Sequence, residues 1–172
     1  IIRGRPRSAL VPYTTLFRSL DISPEDTPAV IGLRSLGIVL AQRISSRLSN
    51  ILNREIPCGT LDITLYRDDL GSPHGIKYPT VRSTEIPFDV NGKKIILIDD
   101  VLFTGRSVRA AMDALVDLGR PEAIKLAVLI ERGHREFPIQ ADYSGIKVNL
   151  DKKKNVILKL VETDEIDQAI AE

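Results

Sequence analysis

The sequence has almost no charge imbalance. Its 24 Lys and Arg stand against 23 Asp and Glu, a formal net charge of +1, so no global field draws it to nucleic acid or a membrane surface, and any such patch must be local. Cysteine is nearly absent too. Cys58 stands alone, which excludes an internal disulfide, and no Cys or His lies at metal-ligand spacing from it. It reads as a small strand residue in a protein of a reducing compartment. No apolar run approaches the roughly 18 residues that span a bilayer, and no signal-peptide pattern opens the chain. A soluble, cytoplasmic protein with no membrane partner is expected. No Gly-Lys-Ser or Gly-Lys-Thr occurs, which excludes a Walker phosphate loop, and no Ser-His-Asp or Cys-His arrangement has a defined spacing.

What remains, in 172 residues, is one domain's worth of chain, long enough to bury roughly two-thirds of its unfolded surface without staples. Residues 1–19 carry scattered basic residues and Pro with no helical or alternating period. They resemble translated sequencing-adapter read-through, and are expected to be non-native or disordered; the alternative is a genuine basic arm. Residues 20–172 are expected to form the folded domain.

There the pattern alternates between strands and helices. Ala29-Val30-Ile31-Gly32 reads as a strand, followed by a turn and a helix with its apolar stripe at Leu40, Ala41, Ile44, Leu48 and Ile51. Residues 58–66 alternate, with Leu61, Ile63 and Leu65 on one face, as in a strand with one polar side. Residues 67–85 hold Gly71, Pro73, Gly75 and Pro79 without any period and read as a long functional loop, often an active-site lid. Ile95-Ile96-Leu97-Ile98 is apolar on both faces, as expected of a central parallel strand. A turn at 99–105 leads to a helical stripe of Val108, Ala111, Met112, Leu115 and Val116 that stops at Gly119, with Met112 as core packing rather than a cofactor contact. Ala127-Val128-Leu129-Ile130 is another buried strand and Val156 to Val161 a last one. Such alternation predicts an α/β doubly wound sheet, mainly parallel, with its ligand beyond the carboxyl ends of the strands.

The chemistry concentrates after the central strand, in Asp99-Asp100-Val101-Leu102-Phe103-Thr104-Gly105-Arg106-Ser107. Backbone N–H groups and the hydroxyls of Thr104 and Ser107 open a helix whose dipole favours an anion, so they can converge on a phosphate. Gly105 allows close backbone approach. Adjacent carboxylates are costly to hold together unless a ligand hydroxyl, a cation or water meets them, and a ribose diol offers donors at that separation. Asp-Asp alone would be an acidic turn, and Thr-Gly-Arg-Ser alone an ordinary helix start; together after a buried strand they point to a sugar phosphate.

This combination resembles the phosphoribosyl pyrophosphate (PRPP) signature of type I phosphoribosyltransferases. Asp62-Ile63-Thr64-Leu65-Tyr66-Arg67-Asp68-Asp69-Leu70, Glu85-Ile86-Pro87-Phe88-Asp89-Val90 and the run from Arg132-Gly133-His134-Arg135 to Asp142-Tyr143 are similar to the bifunctional pyrimidine operon attenuator and uracil phosphoribosyltransferase family. The likeness covers roughly residues 29–145. It implies the type I phosphoribosyltransferase fold, a central mainly parallel sheet flanked by helices with a small hood and a flexible lid loop. By the same resemblance, Asp99 and Asp100 hold the ribose hydroxyls and Thr104, Gly105, Arg106 and Ser107 the 5′-phosphate. Arg34, Ser35 and Gly37 belong to a pyrophosphate loop, Arg67 to the lid, and Arg132, Gly133 and His134 to a hood over the base. The implied reaction is uracil plus PRPP giving UMP and pyrophosphate, with Mg²⁺ bound mainly through PRPP and no metal ligand assigned to the chain. The implied alternative is a UMP-sensing attenuator that binds pyrimidine-operon leader RNA with little catalysis. Self-association into a dimer or larger oligomer is expected of the family.

The chain departs from the family pattern in places. Leu36 stands where members usually carry a basic residue, the first amphipathic helix is replaced by residues 1–19, and Ile146-Lys147-Val148-Asn149-Leu150 with Lys152-Lys153-Lys154 replaces a polar turn. His134 could touch phosphate or RNA, or be a solvated loop residue; His74 reads as surface, and the three lysines as a solvated face.

Overall fold

A computed structural model of the chain describes residues 28–34, 36–66 and 83–172. The expectations for residues 1–19, for most of the segment at 67–85, and for Ser35, Arg67 and His74 lie outside the described residues. The elements are β1 (Pro28–Leu33), α1 (Leu36–Leu52), β2 (Cys58–Leu61), β3 (Lys94–Leu102), α2 (Arg106–Leu118), β4 (Ala123–Arg132), β5 (Tyr143–Val148), β6 (Val156–Lys159), the short helix α3 (Val161–Asp164) and β7 (Gln168–Ala171). The first five strands make one sheet in the order β2-β1-β3-β4-β5, with every neighbouring pair parallel. β3 is its centre, as its apolar run implies.

Successive side chains of a strand face opposite ways, so each buried strand feeds two cores. Val30, Ile96, Ile98 and Ala127 pack with Leu40, Ala41, Ile44 and Leu48 of α1. Ala29, Ile31, Ile95 and Leu97 pack with Val108, Ala111, Ala114 and Leu115 of α2. Each fully buried Leu or Ile contributes roughly 1.5 to 3 kcal/mol before ordering costs, and helices on both faces hide the whole sheet centre from water. The order 2-1-3-4-5 makes a topological switch point between β1 and β3, with a crevice at their carboxyl ends.

Glycine brings α1 close enough to floor that crevice. A Cβ on Gly37 would lie 2.7 Å from the Ile98 carbonyl oxygen, and one on Gly32 would lie 2.5 Å from the Gly37 carbonyl oxygen. The start of α1 thus rests directly on the backbone of β3 beside Asp99.

Several expectations needed correction. The strand at 58–66 stops at Leu61, because the Asp62 carboxylate accepts from the Thr64 N–H at 2.9 Å and bends the chain into a 3₁₀ turn at Thr64–Tyr66. Leu65 is therefore 76% exposed. Ile51 and Val116 are also exposed; Leu52, four residues after Leu48, and Ala114, three after Ala111, lie nearer the cores instead. β3 continues through the expected turn to Leu102. The last strand ends at Lys159 and leaves the main sheet, pairing antiparallel with β7. Its hairpin docks on α1 through Leu160, 1% exposed in the α1 core, and through Arg43, which pairs with Glu162 and, at 2.8 Å, with Asp167. β5 was not anticipated.

Candidate active site

The carboxyl end of β3 carries the acidic pair on a strand rather than a loop. Asp99 is 8% exposed; its Oδ1 accepts the Asp100 N–H at 3.0 Å, and Asp100 Oδ1 accepts the Val101 N–H at 2.8 Å. Burial first, and the Asp100 charge second, push the Asp99 carboxyl well above its ordinary range. Neither carboxylate is paired with a cationic side chain among the described residues. The pair therefore offers carboxyl oxygens that sugar hydroxyls or a cation could engage.

Beyond it opens a cavity of about 320 Å³ lined by Asp99 and by residues 101–108, within the range of small-ligand sites. Asp100 is not among its lining residues. Gly105 sits at φ 92°, the left-handed region that favours glycine. A Cβ there would meet Phe137 Cβ at 3.4 Å, an ordinary contact, so the backbone angle rather than close approach requires glycine. α2 starts immediately after with no side-chain cap and no acidic residue in its first turn. Its positive end faces no compensating charge of its own, as an anion site needs. Thr104 Oγ1 accepts from the Arg106 N–H at 3.3 Å. The Arg106 guanidinium pairs with Glu136 at 2.8 Å and lies 5.3 Å from the Phe137 ring centre, a cation–π arrangement.

The end of β4 and the segment that follows it pack against this loop. Arg132, expected in the hood, is 4% exposed with its guanidinium carbon 4.0 Å from the Phe103 ring centre. His134 meets the same ring edge-on at 6.4 Å, so Phe103 is held between them. His134 has φ 71°, and its Nε2 lies 2.9 Å from the Leu150 carbonyl oxygen, which requires the proton on Nε2. Gly133 lies beside Asn149. The remaining sites flank the switch point. Arg34 donates its backbone N–H to the Leu61 carbonyl and a guanidinium N–H to the Ser83 carbonyl at 3.0 Å. Glu85 then pairs antiparallel with Thr60, so the return of the long loop is tied to β2 and the end of β1. Gly37 is buried under β3, and Leu36 packs on the α1 core.

The sequence places Phe103 in the loop after the central strand and Arg135, Glu136 and Phe137 in the segment likened to a hood, but it assigns none of them an individual role. Arg135 donates to the carbonyls of Leu102 (3.1 Å), Phe103 (2.5 Å), Arg132 (2.6 Å) and Ile139 (3.1 Å), and pairs with Glu131 at 3.0 Å. The only signal was its place in the Arg-Gly-His-Arg run.

The phosphoribosyl transferase domain model matches residues 14–164. The chain belongs to that family. Among phosphoribosyltransferases it stands with the bifunctional PyrR proteins. It is 55% identical to that of Deinococcus radiodurans over 139 residues, 81% of this chain and 75% of that one. To that of Halalkalibacterium halodurans it is 52% identical over 143 residues, 83% of this chain and 79% of that one. Solved phosphoribosyltransferases share the fold. A Staphylococcus aureus hypoxanthine phosphoribosyltransferase superposes with a TM-score of 0.61 at 17% identity, covering 86% of this chain and 77% of that one. A Leishmania tarentolae enzyme solved with GMP gives 0.62 at 10% identity, covering 92% and 81%. The expected type I phosphoribosyltransferase fold is therefore the observed one, and the chain is a transferase. Among the described residues no helix is long and apolar enough to cross a membrane.

Proposed function

We propose that this phosphoribosyltransferase seats PRPP in the cavity at the end of β3 and transfers its sugar phosphate to uracil, releasing pyrophosphate. The observation that carries the reading is the cavity itself, bounded by the buried Asp99 at one end and the uncapped start of α2 at the other. Asp99 and Asp100 accept hydrogen bonds from the ribose hydroxyls. The backbone of 104–107, with the Thr104 and Ser107 hydroxyls, receives the 5′-phosphate. Arg34, Ser35 and Gly37 meet the pyrophosphate, and Arg67 adds charge from the loop.

Displacement at the anomeric carbon breaks the bond to pyrophosphate and forms the bond to a uracil nitrogen, through an oxocarbenium-like transition state. The residues supply positioning and charge stabilisation rather than a covalent nucleophile. The acidic pair, with no cationic partner among the described residues, fits Mg²⁺ arriving with its substrate, and that ion would neutralise the departing pyrophosphate. Arg132, Gly133 and His134 border the base. A pyrophosphate-release assay tests the reading: uracil should be turned over faster than hypoxanthine, guanine or adenine, and faster turnover of any purine would refute it.

The name bifunctional carried by the relatives supports a second activity through the same pocket, UMP-dependent binding of pyrimidine-operon leader RNA. Gel-shift titration with and without UMP, across a salt series, tests it.

A further inference from the structure

The phosphate loop is shaped from outside, by the segment that follows β4. Consecutive carbonyls of Leu102, Phe103 and Thr104 all turn toward it. The first two accept from the Arg135 guanidinium, and the third accepts from the backbone N–H groups of Glu136 at 2.9 Å and Phe137 at 3.2 Å. A trans peptide unit points its N–H opposite its C=O. Turning these carbonyls to residues 135–137 therefore turns the N–H groups of Phe103, Thr104 and Gly105 to the other side. Those residues line the cavity. Successive N–H groups directed to one side make an anion-binding concavity, and each carbonyl turned outward needs a donor there. At Leu102 and Phe103 that donor is Arg135.

We propose that Arg135 is the positioning residue of the 5′-phosphate loop. It need not touch substrate: its planar guanidinium fixes the peptide planes that do. Bonds to Arg132 and Ile139 and the pair with Glu131 fix the guanidinium in turn, so it acts as a rigid spacer between β4 and the loop. Both carbonyls accept from Nη1, which is held in place because Nε donates to Ile139 and Nη2 pairs with Glu131; a lysine ammonium on a flexible stem has no such planar anchors. The inference rests on the assignment of this cavity to a sugar 5′-phosphate.

The test compares ribose 5-phosphate and inorganic pyrophosphate as calorimetric probes of the full chain, beside PRPP kinetics. Arg135→Ala and Arg135→Lys should each weaken ribose 5-phosphate binding at least tenfold and raise KM for PRPP more than they lower kcat, with pyrophosphate binding unchanged. Millimolar guanidinium should restore much of the loss in Arg135→Ala and none in Arg135→Lys. If the alanine variant does not fold, the lysine variant, which keeps the charge beside Glu131, gives the same comparison. Wild-type ribose 5-phosphate affinity in the folded variants, or equal loss for both probes, would overturn the proposal. Thr104→Ala and Ser107→Ala separate the two levels. If they leave ribose 5-phosphate binding intact, the cavity assignment fails; if they impair it while the Arg135 variants do not, only the role of Arg135 fails.

Discussion

Burying the Asp99 carboxyl carries a pH-dependent stability cost, and its proposed contact with the ribose sets function against that cost. Its carboxyl is raised by burial and by Asp100, so the native protein holds a proton that the unfolded chain releases near pH 3.9. Between that value and the raised native one, the native state binds more protons, and stability falls as pH rises. Above the native value the penalty is complete. Asp99→Asn removes it while keeping an oxygen to accept from the Asp100 N–H and adding a donor beside the Asp100 carboxylate. The variant should melt higher than wild type at pH 8, and the difference should shrink toward pH 4. It should also lose transferase activity, by about 1.5 to 3 kcal/mol of substrate interaction if a charge-assisted hydrogen bond to a sugar hydroxyl is weakened. Equal melting temperatures across the pH series would disprove the stability argument, and wild-type kinetics the ribose assignment.

At the scale of elements, the seating of α1 on β3 is the joint most sensitive to added volume. Gly37→Ala places a methyl group 2.7 Å from a backbone oxygen that cannot rotate away. It should cost about 1 to 3 kcal/mol by overpacking, measurable in urea melts, and should impair activity by lifting the start of α1 from the crevice. An unchanged melt and rate would show that the joint is slack. Strands apolar on both faces, at 95–98 and 127–130, were legible because nothing but a covered parallel sheet satisfies them. Leu65 misled because alternation is blind to the Asp62 carboxylate capturing the Thr64 N–H. β5 was illegible: Tyr143–Val148 is only partly buried, includes Gly145 and Lys147, and becomes a strand by pairing with β4. The same divide runs through the site. The segment Asp99 to Ser107, proposed to hold the sugar phosphate, stood out because its residues are contiguous in sequence; the contacts of Arg135 did not, because its acceptors at Leu102 and Phe103 come from a different connection.

For the whole molecule, the terminal hairpin is fastened to α1 by an apolar peg and an ionic clasp. Leu160→Ala should cost about 2 to 5 kcal/mol as a buried leucine truncation, read by chemical denaturation. The clasp is weaker, because Arg43, Glu162 and Asp167 are partly exposed and exposed pairs are screened. Hydrogen bonds from Arg43 lower the carboxyls of Glu162 and Asp167. Their stabilisation is complete above the ordinary carboxylate range and is lost as pH falls through the lowered native values. Amide exchange in β6 and β7 should therefore accelerate, relative to the main sheet after correction for intrinsic rates, on acidification below about pH 4. Protection that is independent of acid and of Arg43→Ala would show that Leu160 does the fastening alone.

The parallel order of the main sheet also sets a timetable for synthesis. β1 pairs with β3, Pro28 opposite Lys94, so the ribosome releases β1, α1 and β2 well before the strand that completes their sheet. A parallel pairing across so long an interval closes slowly. Until it does, the Pro28–Leu33 strand, buried throughout in the finished protein, has α1 and β2 as its shield among the described elements. β3, α2 and β4 emerge as one contiguous unit, and their appearance ends the interval. Chaperone demand during translation should thus be greatest before residue 94 and fall once β4 has left the tunnel.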